Sequence, residues 1–147
     1  MTAMESWHPL IVHFSLVLLP LSVAVDLLAL GSRKTHWHGL AYGVFWFGAV
    51  MAASAVLSGN AAAGAYRKDD QVQGLVSAHE DWATWTLLLF IGLALSRVPL
   101  QLRGELQGWR FALWLVVAVA ACGLLWLTGY TGGELVFRHG VGVKINS

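Results

Sequence analysis

Apolar positions along this chain gather into four long runs: Leu10–Leu30, Leu40–Leu57, Trp82–Val98 and Phe111–Tyr130. Each is about the length that a helix rising ~1.5 Å per residue needs to cross a ~30 Å hydrocarbon core. Short polar stretches separate them, such as Gly31–His38 and the longer connection containing Arg67-Lys68-Asp69-Asp70. The pattern predicts an all-α fold, a four-helix transmembrane bundle of two helical hairpins, in one domain over residues 1–147. Pro9 suits the first helical position of the first span, where its missing N–H would have no partner.

An up-down-up-down path places the start of span 1, the end of span 2, the start of span 3 and the end of span 4 on one face. His8, His13, His79 and His139 all fall there. His36 and His38 fall on the opposite face, in a linker that reads as solvated. Asp26 is the one carboxylate inside a run. It reads as a structural group that pairs with Arg33 or Arg110, with proton handling as the alternative. Ionisable groups at membrane depth are costly and tend to mark function.

A weak internal repeat runs through the chain at an offset of about 71 residues. His8 aligns with His79, Trp37 with Trp109, Leu57-Ser58-Gly59 with Leu127-Thr128-Gly129, and Tyr66-Arg67-Lys68 with Phe137-Arg138-His139. The order of these matches implies two hairpins related by a pseudo-twofold axis along the membrane normal.

Composition agrees with a membrane domain. The chain is 57% hydrophobic and 12% charged, about half the charge a soluble domain carries. A formal net charge of +1 without a basic cluster gives no reason to expect nucleic acid. The single cysteine, Cys122, lies inside span 4 and reads as a small buried hydrophobe, which excludes a disulfide framework. Glu5 precedes span 1 and Arg33-Lys34 follow it, so the positive-inside rule puts both termini outside the cytoplasm. The histidine-rich face would then look toward the periplasm or its equivalent.

Imidazoles from several helices at one membrane level point to a metal or heme. His8 and His13 are five residues apart, about 140° around a helix, so they do not share a face. The expected axial pair comes from His13 and His79, with His8 and His139 as a second pair or as partners for propionates. Glu80 or Asp81 would orient His79 as an outer carboxylate. Arg67 and Arg138, matched in the repeat, are the expected propionate partners. No nucleotide-binding loop, CxxC, CxxCH or HExxH pattern is present.

The opening His8-Pro9-Leu10-Ile11-Val12-His13-Phe14, with Asp26 at the far end of span 1, resembles the bacterial membrane-protein family called domain of unknown function 2231. His79 before span 3 and the ending Gly132-Gly133-Glu134-Leu135-Val136-Phe137-Arg138-His139-Gly140-Val141-Gly142-Val143 carry the same resemblance. One departure is Ser15, where many members have proline. The resemblance implies a small four-span inner-membrane protein. Some members are fused or adjacent to c-type cytochrome modules, which implies periplasmic redox chemistry. The function expected from these readings is b-type heme binding with electron transfer at the periplasmic side, as a carrier rather than a catalyst, with a periplasmic cytochrome or another redox protein as partner. The alternatives are a histidine-based copper or zinc site for metal handling, and a structural anchor for a redox partner. A homodimer is also compatible.

Overall fold

The computed structural model describes residues 3–32, 36–66 and 69–143. Four helices make up the fold: α1 (Ala3–Ser32), α2 (His36–Ala63), α3 (Gln73–Arg103) and α4 (Trp109–His139), with a short 3₁₀ turn at Gly64–Tyr66. All four are long and apolar enough to cross a membrane. Each contains its predicted run and extends beyond it. Pro9 therefore lies inside α1 rather than at its first position. Residues 132–139, beyond the fourth predicted run, are the last turns of α4.

Glycine decides where two of the helices stop. Gly104 and Gly140 adopt left-handed φ values of 68° and 65°, which cost a residue without Cβ little. Each turn lets a following N–H close back on the helix: Glu105 on the Leu100 carbonyl and Val141 on the Leu135 carbonyl, both at 3.0 Å. The second closure explains why α4 runs on through Gly132-Gly133. Nearby, the Gly142 N–H donates to the Tyr66 hydroxyl at 2.6 Å and ties the chain after α4 to the end of α2.

Helix α1 packs on α2 and α3 on α4, and the hairpins meet through α2–α3 and α1–α4. Helices α1 and α3 therefore stand diagonally across the bundle. Small residues bring the first pair close: a Cβ on Gly48 would lie 2.9 Å from Leu19 Cγ. Phe45, Phe90, Phe111 and Trp114 fill the centre, with Phe45 5.3 Å from Trp114 and 5.9 Å from Phe90 between ring centroids. The outer surface is rich in exposed Leu, Val, Phe and Trp. The buried residues, in contrast, include Ser15, Ser22, Asp26, His38, Ser58, Thr86, Arg97 and Thr128. Polar groups inside and apolar groups outside suit a hydrocarbon solvent, where every polar group must find an internal partner.

Burial reveals the repeat and corrects its register. Ser15, Leu19, Ser22, Val23, Asp26 and Ala29 are buried in α1. Thr86, Phe90, Leu93, Ala94, Arg97 and Leu100, each 71 residues later, are buried in α3. In α2, His38, Ala41, Phe45, Gly48, Ala52 and Ala55 are buried, and their counterparts in α4 are Phe111, Trp114, Ala118, Ala121, Leu125 and Thr128, 73 residues on. At that offset Ser58-Gly59 corresponds to Thr131-Gly132, not to Thr128-Gly129 as the sequence alignment had it.

Candidate functional site

Two polar centres lie at opposite ends of the bundle. At the end bearing the termini, His8 Nδ1 is 3.0 Å from Ser58 Oγ, and His79 Nδ1 is 3.0 Å from Thr131 Oγ1. These are the same contact in the two halves of the repeat. The hydroxyl protons are already committed: Ser58 donates to the Ala55 carbonyl at 3.0 Å and Thr131 to the Thr128 carbonyl at 2.9 Å. Each hydroxyl oxygen therefore accepts, and each imidazole donates its Nδ1–H. In that arrangement each Nε2 carries a lone pair.

Glycines seat the same two rings. A Cβ on Gly59 would stand 2.9 Å from His8 Cε1, and one on Gly132 would stand 2.9 Å from His79 Cε1. The two histidines thus occupy equivalent places in the two hairpins. Helix geometry agrees. His8 and Asp26 are 18 residues apart, about five turns of ~3.6 residues, and so are His79 and Arg97. Because Asp26 and Arg97 meet across the bundle, the two histidines face the same axis about 27 Å away.

The other predicted residues do not join this pair. His13 is exposed on the outer side of α1, and its Nδ1–H donates to the Pro9 carbonyl one turn back. His13, expected to turn inward with His79, therefore lies on the exposed side of its helix. A helix cannot turn both His8 and His13 inward. His139 is exposed at the end of α4, and Arg138 is ion-paired to Glu134 at 2.9 Å. Arg67 lies outside the described residues. Thr131, rather than Glu80 or Asp81, orients His79.

At the opposite end, Asp26, His38 and Arg97 form a buried network. Asp26 and Arg97 are fully buried, and His38 is 1% exposed. Arg97 binds Asp26 with both terminal nitrogens, Nη1 on Oδ2 and Nη2 on Oδ1. Nη2 also donates to the His38 carbonyl at 3.2 Å, and His38 Nδ1 donates to Asp26 Oδ1 at 2.8 Å. The guanidinium sits 4.7 Å from the Trp114 ring centroid and 5.3 Å from that of Phe111. This corrects two expectations. The partner of Asp26 is Arg97, while Arg110 pairs with Glu105 at 3.2 Å and Arg33 lies outside the described residues. His38 is a core residue, because α2 begins at His36 and carries it into the bundle.

A sign of this network was present in the sequence. Asp26 and Arg97 stand 71 residues apart, the offset that relates His8 to His79. Opposite charges on repeat mates can meet only on the pseudo-twofold axis.

Comparison with known proteins agrees with this architecture. No curated protein and no solved structure matches the chain. The family profile described as predicted membrane protein, DUF2231, matches residues 5–145. That match covers nearly the whole chain and all four apolar helices, so the chain belongs to the DUF2231 family of predicted membrane proteins and is itself a multi-pass membrane protein.

Proposed function

We propose that this protein holds a b-type heme through His8 and His79 and carries electrons at the periplasmic face of a bacterial inner membrane. The observation that carries the reading is the matched pair of imidazoles, one from each hairpin, each held at Nδ1 by a hydroxyl of the neighbouring helix. Iron is bound by a ring nitrogen that carries no proton, and here that nitrogen is Nε2 on both rings. A hydrogen bond from the other ring nitrogen orients an imidazole ligand and raises its basicity. Ser58 and Thr131 serve that purpose, and Gly59 and Gly132 leave room for the rings to lie flat against their neighbouring helices. Heme, when bound, supplies a one-electron iron couple.

Two imidazoles suit heme better than the copper or zinc alternative. Among the described residues no group of three or more His, Cys, Asp or Glu side chains gathers to hold a metal ion. The periplasmic placement rests on Arg33-Lys34 after the first span, and a periplasmic cytochrome is the natural partner on that side. The test is the visible spectrum of membranes containing the protein at adequate heme supply. A Soret band and a reduced α band of low-spin b heme are expected. His8→Ala or His79→Ala removes them or makes the iron high-spin, and His13→Ala and His36→Ala leave them intact. A folded, colourless protein sinks the reading.

A further inference from the structure

On the lipid-facing side of the α3–α4 seam runs a groove of about 390 Å³, lined by Leu93, Ser96, Pro99, Leu100, Leu113, Trp114 and Val117, with Arg103, Glu105 and Arg110 also in its wall. Its length follows from the helix. Leu93 to Arg103 is ten residues, about 15 Å of rise, or half of a ~30 Å hydrocarbon core. The groove is therefore as deep as one leaflet. Its walls are apolar, and the Ser96 hydroxyl is already bonded to the Leu93 carbonyl at 3.0 Å. At its mouth stand two guanidiniums, Arg103 and Arg110, and one carboxylate, Glu105. Arg110 takes Glu105 at 3.2 Å and also lies over the Trp109 ring. The left-handed turn at Gly104 ends α3 directly after Arg103. The mouth thus carries one net positive charge at the level where lipid phosphates lie.

We propose that this groove is a binding site for one anionic phospholipid, with an acyl chain along Leu93–Leu100 and Leu113–Val117 and its phosphate on Arg103 and Arg110. A basic pocket between spans is a recognised form of headgroup site, and here charge and depth fit the same molecule. The proposal is independent of the heme reading and of which way the protein faces.

Native mass spectrometry of the detergent-purified full chain tests it, with added phosphatidylglycerol or phosphatidylcholine of identical acyl chains. One phosphatidylglycerol is expected to remain bound at activation energies that strip phosphatidylcholine. Its apparent affinity should fall at least tenfold in an Arg103→Gln/Arg110→Gln variant, but not in Arg138→Gln, which alters the other end of the bundle. A second variant, Leu113→Trp, fills the groove, keeps both arginines and should also lose the lipid. Equal retention of the two lipids overturns the proposal. So does phosphatidylglycerol binding that survives the double arginine change, or displacement by soluble glycerol phosphate alone. Unchanged circular dichroism of each variant separates loss of the site from loss of the fold.

Discussion

Arg97→Met removes the positive half of a fully buried ion pair while keeping most of the side-chain volume. Asp26 then loses both guanidinium donors and keeps only His38 Nδ1–H at 2.8 Å. Removing one partner of a buried pair costs about 3–5 kcal/mol, because the other charge stays in a low-dielectric interior. Lost cation–π contacts with Trp114 and Phe111 at 4.7 and 5.3 Å add roughly 0.5–2 kcal/mol. In the Asp26→Leu/Arg97→Met double variant neither charge remains. The main unpaired group is His38 Nδ1–H, at about 1–3 kcal/mol. The double variant should therefore be more stable than Arg97→Met alone, with a coupling of roughly 3 kcal/mol, more than a hundredfold in the unfolding equilibrium. Reversible unfolding in bicelles, followed by circular dichroism, measures all four members of the cycle. Additive single effects, or an Arg97→Met cost below about 1 kcal/mol, would refute the view that these two charges form one unit.

Further expectations concern the imidazole pair and its placement. Gly59→Ala and Gly132→Ala each put a Cβ 2.9 Å from a histidine Cε1 and should lower stability by about 1–3 kcal/mol in thermal melts. Gly133→Ala meets nothing within 4 Å and should raise it by about 0.5–1 kcal/mol; the reverse order would show that the glycines do not seat the rings. Ser58→Ala and Thr131→Val remove the Nδ1 acceptors and should weaken heme retention roughly 10–100-fold in a transfer assay to apomyoglobin, against no change if the hydroxyls were incidental. A phosphatase fused after Ser147 should be active in the periplasm, and strong signal from a cytoplasm-only reporter there would reverse the orientation.

The sequence alone determined the four helices, their antiparallel path and the end of the bundle at which His8 and His79 lie. A run of some twenty apolar residues must close its backbone hydrogen bonds internally in lipid, so each span is a local decision. The same property hid the inward faces. When the solvent is as apolar as the core, side chains pointing outward and inward look alike, and hydrophobic periodicity carries little information. His13, deep in apolar sequence, therefore read as the inward histidine, and His38, next to a polar linker, read as solvated. Only the packing of four helices showed that His8 turns in and His13 out. It also showed that the second helices of the repeat are offset by 73 residues, where the Trp37–Trp109 and Ser58–Thr128 matches give 72 and 70. The pairing of Asp26 with Arg97, and of each imidazole with a hydroxyl on its neighbouring helix, depends on where helices cross. Crossing points are set by residues such as Gly48, whose effect comes from the neighbour it admits.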